Sequence, residues 1–348
     1  MLIPYRHANG PSDSQLLGFV EACAIYFLGG ALGEVRKQVR QRLPDFGSLP
    51  NDYMAVNLAV PVADAERPEV NKLYHRTLCR AWEMADKLAG HPPIHLTELE
   101  SLLDENQAHC DQSVSEACFI YPEVSANVQG FIRSRVSSPG LYLFSDTGGG
   151  TVDQSVFIFM RKDQGEYLTY LTGRVLPLGS SHIERRAAEN GGKMDWLSLE
   201  TWREKKERGE TDHELREAQG WIAEELSRET KATLAFAKQK LFVKDQLNRI
   251  RVIFGGGGHC EHPYKTAVMN PFSGDLFRQS INPDVVGLPI PRDLELKSHE
   301  TRWMRRLSVA YGLSFEKSEL APFTYPRDVP PPTPDEIWQP LKPLAHAP

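Results

Sequence analysis

The stretch GLYLFSDTGGGTVDQSVFIFM, Gly140 to Met160, holds two apolar runs joined by three consecutive glycines, with an aspartate on each side of the turn. GLYLFSD and the run Val152 to Arg161 have the length and the aromatic and β-branched content of strands, and a third such run, Glu166 to Val175, follows a short polar break. Strand, glycine turn, strand, strand is the order of an antiparallel meander rather than of a β-α-β unit. Three glycines open backbone conformations closed to other residues, so successive N–H groups can converge on an anion at close range. Asp146 and Asp153 flank the turn. Carboxylates beside a phosphate cradle suit Mg²⁺, a hard cation that keeps several of its waters. Thr151 adds a hydroxyl that can donate to a terminal phosphate. The alternative is a glycine hairpin with two solvated acids, and the acid spacing between apolar strands favours phosphate binding over it.

A second glycine run, Gly255-Gly256-Gly257-Gly258-His259, follows the apolar strand IRVIF. A glycine loop at the end of a buried strand lets a flat ligand such as an adenosine lie on the backbone, although a plain turn reads the same way. Consecutive glycines do not match the G-x-G-x-x-G dinucleotide pattern, and no GK[ST] follows for a P-loop. His259, Cys260 and His262 have no partner pair at zinc spacing, which argues against a metal site there.

Working outward, MAVNLAVPV (Met54 to Val62) reads as a strand covered on both faces, and helices are expected over Pro68 to Leu88, over Thr97 to Gln107 and from Val124. The charged stretch Trp196 to Val243 is helical in character, and TRWMRRLSVAYGLSF is a last amphipathic helix. From Ala321 the chain is proline-rich, including VPPPTP, and is expected to stay extended. LLGFVEACAIYFLGGAL (Leu16 to Leu32) is interrupted by Glu21 and is short for a span of about 20 residues. It is read as a buried amphipathic helix, so no membrane partner is expected. The chain has 348 residues, 41% hydrophobic and 25% charged, enough for a sizeable core and two lobes. A net charge of -6 with interleaved signs argues against nucleic acid. Five cysteines without a C-x-x-C pair point to reduced thiols in a cytoplasmic setting.

The order of these motifs resembles the sugar kinase, heat-shock chaperone and actin superfamily, and within it the diverged relatives of the seventy-kilodalton heat-shock chaperones. DTGGGTVD is similar to that family's second phosphate motif, and GGHCEHP (Gly257 to Pro263) to its adenosine motif in spacing. LAVPV with DAER, VLPLGSSHIERR (Val175 to Arg186) and RLSVAYGLS (Arg306 to Ser314) resemble further segments of diverged members, so the likeness spans Leu16 to Phe315. It implies an α/β, ribonuclease H-like (actin-like ATPase) fold with two lobes around a nucleotide cleft and the first lobe incomplete. Residues 1–135 would be the partial first lobe, 136–315 the second, and 316–348 the tail.

The resemblance also implies ATP or ADP with Mg²⁺ as ligands. Asp146 and Asp153 would orient the ion through water, and Thr151 with the amides of Gly148, Gly149 and Gly150 would hold the phosphates. Gly179 would stand by the phosphates, and Gly257, Gly258 and His259 would line the adenosine pocket. Pro61 and Arg67 match positions that relay nucleotide state to partner domains, though here they stand closer together in sequence.

The departures matter for catalysis. No D-x-G-T-T clasp stands before Leu16, so hydrolysis is expected to be severely impaired unless an upstream segment or another chain supplies it. Tyr121-Pro122-Glu123 replaces the family's E-P-x-A-A, leaving Glu123 as the candidate substitute acid. Glu261 and Arg306 stand where the family has an arginine and an aspartate, and are expected to pair beside the base. Three functions compete: an ATP-binding chaperone-like protein with possible ATPase activity that controls a partner, a non-catalytic interaction protein with a decayed cleft, and a small-molecule kinase. The third lacks a recognisable acidic base.

Overall fold

Alternation of large apolar side chains along residues 140–176 produces a sheet covered on both faces. The computed structural model describes residues 13–49, 53–90, 94–104, 112–163, 165–258, 262–274, 276–277, 279–295 and 304–333. Contacts divide the chain into two units, Met1–Val60 with Arg67–Tyr121, and Pro61–Glu66 with Pro122–Pro348. This grouping differs from the sequence division at 135/136, because Pro61–Glu66 and the chain from Pro122 pack with the second unit.

In the first unit, helix α1 (Asp13–Arg42) lies against α3 (Pro68–Leu88). Gly29 and Gly33 allow the close approach: a Cβ on Gly33 would stand 2.1 Å from the Ala85 carbonyl, and one on Gly29 2.6 Å from a Leu88 methyl. Polar pairs flank the seam, with Arg76 forked onto Glu21 and Arg40 forked onto Asp86. Leu99 and Leu103 of α4 (Leu96–Asp104) close the same core. The buried helix expected here is buried along one face only, since Leu17, Phe27 and Val35 are exposed. Leu17–Arg42 is long and apolar enough to cross a membrane by length and composition. In the structure its small-residue face is taken up by the amphipathic, charged α3.

Strand β1 (Val56–Val60) pairs with β2 (Cys118–Pro122), which follows α5 (Gln112–Ala117). Contrary to the expectation of a strand covered on both faces, only Val60 of β1 is fully buried, because this sheet has two strands.

The second unit starts with the single turn α2 (Val62–Ala65) and resumes with α6 (Glu123–Asn127) and α7 (Gln129–Ile132). Its sheet contains β3 (Gly140–Thr147), β4 (Val152–Lys162), β5 (Gly165–Leu176), β6 (Arg251–Gly256), β7 (Val285–Val286) and β8 (Phe323–Thr324), in the order β7-β6-β3-β4-β5-β8. β3, β4 and β5 form the antiparallel meander, and β6 then joins the free edge of β3 in parallel. A parallel neighbour needs a crossover, which α8 (Ser181–Asn190), α9 (Trp196–Glu207) and α10 (His213–Lys240) supply. β7 follows β6 through α11 (Tyr264–Met269). A meander extended by parallel strands beyond its first strand is the ribonuclease H-like topology expected for an actin-like fold.

Alternation along β3 assigns the two cores. Leu141 and Leu143 face Ile222, Leu226 and Leu234 of α10, while Tyr142 and Phe144 face Val128, Phe131 and Ile132 around α7. Each such side chain removed from water contributes about 1.5–3 kcal/mol. On the α7 side Phe131, Tyr142, Phe157 and Tyr170 form a row of ring contacts at 5.6, 5.5 and 5.8 Å. On the α10 side Gln154 donates to Thr230 Oγ1 at 2.8 Å and accepts from Thr233 at 3.1 Å, fastening β4 to α10.

The segment expected to stay extended from Ala321 instead packs on the sheet as an edge strand and then makes a single turn at Pro326–Asp328. Leu320 and Ala321 are buried, and Phe323–Thr324 pairs in parallel with Leu168–Thr169 of β5. Proline is tolerated on such an edge, where no further strand needs its N–H. Residues 334–348 of the proline-rich run lie outside the described residues.

The last helix, α12 (Met304–Leu313), presses on α6 so closely that a Cβ on Gly312 would stand 1.9 Å from the Ala126 carbonyl oxygen. Gly312→Ala is therefore expected to destabilise the protein by about 1–3 kcal/mol despite the better helix propensity of alanine. A melting temperature equal to or above that of the parent chain would contradict this packing.

Candidate functional site

Pairing of β3 with β4 sets Asp146 directly across from Asp153, with Thr147 opposite Val152. Like charges in directly opposed positions destabilise a ladder, so the placement needs a reason beyond folding. Residues 148–151 close the hairpin, with the Gly148 amide donating to the Thr151 carbonyl at 2.9 Å. The three glycines are exposed.

Their carbonyls are occupied by the loop entering α8. Ser180 N donates to Gly148 O at 2.9 Å, Ser181 N to Gly149 O at 2.8 Å and Gly179 N to Gly150 O at 3.3 Å, and His182 Nε2 lies 3.1 Å from Gly150 O. The amides of Gly149 and Gly150 have no protein acceptor among the described residues. Gly179 supports the hairpin from behind: a Cβ there would lie 2.4 Å from both Gly149 O and Thr151 N.

The second glycine run meets the same carboxylate. A Cβ on Gly255 would stand 2.8 Å from Asp146 Oδ2, and one on Gly256, at φ +70°, would stand 2.4 Å from Asp146 Oδ1. A Cβ on Gly258 would collide with the Thr147 methyl at 2.6 Å, and one on Gly257 would stand 3.3 Å from the Arg306 guanidinium. Gly255, Gly256 and Gly258 thus make room for the end of β3, and of the run Gly257 is the one that faces Arg306. His259 and Glu261 lie outside the described residues, as does the expected Glu261–Arg306 pair.

Three carboxyl groups share this corner. Burial, followed by the charges of Asp146 and Asp153, pushes Glu123 up to about 8. Burial raises Asp146 to about 6 against the opposing pull of the Asn127 amide, which donates to Oδ2 at 2.8 Å. Asp153 rises to about 6, mainly through burial and then through Asp146 and Asp64, while the Thr151 hydroxyl, donating at 3.0 Å, opposes the shift. The charges of Asp146 and Asp153 thus bear on Glu123.

Two buried polar atoms here, Thr147 Oγ1 and Asp153 Oδ1, have no hydrogen-bond partner among the described residues. Such orphans cost roughly 1–3 kcal/mol each unless a ligand, ion or water completes them. Crowded acids and orphaned oxygens fit a hydrated cation. Among the described residues no three His, Cys, Asp or Glu groups converge to chelate an ion directly, so Mg²⁺ would be held through its own waters.

Sequence reasoning missed Asn127 and Ser308. Both are buried, Ser308 Oγ donates to Asn127 Oδ1, and Asn127 Nδ2 donates to Asp146. The available signal was an asparagine inside the largely apolar run EVSANVQGFI and a serine four residues before the close-packed Gly312. A separate concavity of about 230 Å³ opens between α8 and α9, bounded by Ser181, Arg185, Trp196 and Arg203, and includes neither aspartate.

No family model and no curated protein matches this sequence. Among solved structures the chain is similar to the PilM-PilN type IV pilus biogenesis complex, at 15% identity over 82% of this chain and 84% of that one, with a TM-score of 0.42. It is also similar to a pCBH ParM non-polymerisable quadruple mutant, at 12% identity over 77% of this chain and 70% of that one, with a TM-score of 0.44. These are likenesses of fold, and the chemistry of the site rests on its own geometry.

The pH dependence of stability follows from the raised acids. Glu123 is held up to about 8 against an ordinary 4.5, so between those values the fold keeps a proton that the unfolded chain has lost. Stability of the ligand-free protein should therefore fall as pH rises across that window. Glu123→Gln should raise the melting temperature at pH 8 and leave it little changed near pH 4.5, and parallel melting curves across pH for the two proteins would refute the carboxyl cluster.

Proposed function

We propose that the chain binds ATP with Mg²⁺ at the Asp146–Asp153 hairpin, as a diverged relative of the seventy-kilodalton heat-shock chaperones whose nucleotide state controls a protein partner in the cytoplasm. The observation that carries this reading is the opposition of two half-buried aspartates beside glycine amides that have no protein acceptor among the described residues. Gly149 and Gly150 would donate backbone N–H groups to the phosphates, an arrangement whose preorganised donors need no further ordering on binding. Thr151, now donating to Asp153, would turn its hydroxyl to a phosphate oxygen. Asp146 and Asp153 would hold the waters of Mg²⁺, and the ion would supply charge neutralisation at the phosphates. Arg306 over Gly257 supports placing the adenosine at that loop.

For hydrolysis, Glu123 is the acid that would hold or pass a proton near the phosphates. Its raised affinity for protons suits a group working near neutral pH. The non-catalytic reading draws on a specific observation: among its described residues the first unit has a two-stranded sheet and no second glycine hairpin aimed at phosphate. Turnover would then need a clasp from elsewhere.

Calorimetric titration with Mg·ATP should give saturable heat, weakened roughly 10- to 100-fold in Asp146→Ala, the range for disturbing the groups that orient a metal. Heat unchanged in the variant would remove the site, and phosphate release measured on the same samples separates turnover from binding alone.

A further inference from the structure

Helix α12 touches both ends of the proposed nucleotide site. Arg306 lies over Gly257 at 3.3 Å from its would-be Cβ. Two residues on, Ser308 is fully buried and its hydroxyl donates to Asn127 Oδ1, whose own amide nitrogen donates to Asp146 Oδ2 at 2.8 Å. Residues two apart on a helix do not face each other, so these contacts leave α12 in different directions. The helix cannot slide to satisfy one without the other, because Gly312 is in backbone contact with Ala126, the neighbour of Asn127.

The direction of the chain is defined by donor chemistry. The serine hydroxyl gives its proton to the amide oxygen, which leaves the NH₂ group, a pure donor, against the carboxylate. Asn127 is 1% exposed, so water does not substitute for either bond at low cost. On the Asp146 side, Gly255 and Gly256 wall in the carboxylate, restricting it to the position that Asn127 selects.

We infer that Asn127 and Ser308 are positioning residues that tie the Asp146 carboxylate to α12, so that engagement of the Gly257 loop by a nucleobase strengthens the hold on Mg²⁺ at the hairpin. The inference rests on the nucleotide reading above and adds to it a coupling between the base and metal ends. α12 is the rigid body that joins them, and coupling through such a body is reciprocal: the ion should tighten the base as much as the base tightens the ion.

The test is a double-mutant cycle on the full chain with Arg306→Ala, Ser308→Ala and both together. The readout is the factor by which Mg²⁺, compared with EDTA, tightens ATP binding. Arg306→Ala should lower that factor about tenfold in the parent background, within the usual range of coupling between sites, and should have little further effect once Ser308 is alanine. Strict additivity of the two substitutions would overturn the inference.

If the parent chain bound no ATP, the nucleotide reading itself would fail, and hydrogen exchange of the ligand-free chain would decide the mechanical link alone. Ser308→Ala should then speed exchange at residues 146–151 and 255–258 together. Acceleration confined to α12, or to one of the two segments, would overturn it.

Discussion

Asp146 and Asp153 face each other across two paired strands, with a third carboxyl, Glu123, close enough to feel both. A ladder position occupied by two acids opposes folding, and burial of the three groups adds a desolvation penalty that holds protons on them. The surrounding structure can be read as what tolerates this corner. Gln154, one residue from Asp153, is hydrogen-bonded to Thr230 and Thr233. Rings stacked under the other face make β3 and β4 stiff. A cation brought in with an anionic ligand would turn the repulsion into attraction, which explains why such an arrangement could persist.

The glycines take on a more specific meaning in this setting. Gly149 and Gly150 present their amides while the loop entering α8 takes their carbonyls, and the Gly148 amide closes the hairpin on Thr151. Gly255, Gly256 and Gly258 are small so that the end of β3 can lie flush on them, and Gly179 is small so that the hairpin can lie on it. Under the proposed function one run would serve the ligand directly, whereas the others serve the position of Asp146 and of the hairpin.

Much of the second unit could be read locally. The strands at 140–147, 152–162 and 165–176 and the helix Pro68–Leu88 follow from apolar runs, turn residues and a proline at the first helical position. β2 escaped notice because Cys118–Pro122 is only five residues long and follows a polar segment. The proline-rich segment was misread where it joins the sheet, because a two-residue edge strand such as Phe323–Thr324 depends on the open edge of β5, not on its own composition. α1 was expected to be a buried amphipathic helix because Leu16 to Leu32 is largely apolar, yet the partner available in its unit, α3, covers a single face.

The chain's own order of residues determined the meander, the acid-flanked glycine turn and the class of ligand such a turn suits, since hairpin register and backbone freedom depend on neighbours a few positions apart. Tertiary structure alone decided that Asn127 and Ser308 belong to the same corner as Asp146, although 181 positions separate the two. Long-range proximity of polar groups leaves no periodic trace in sequence: it arises when α12 packs on α6 and α6 on the sheet, and only then do a buried amide and a buried hydroxyl find the carboxylate that satisfies them.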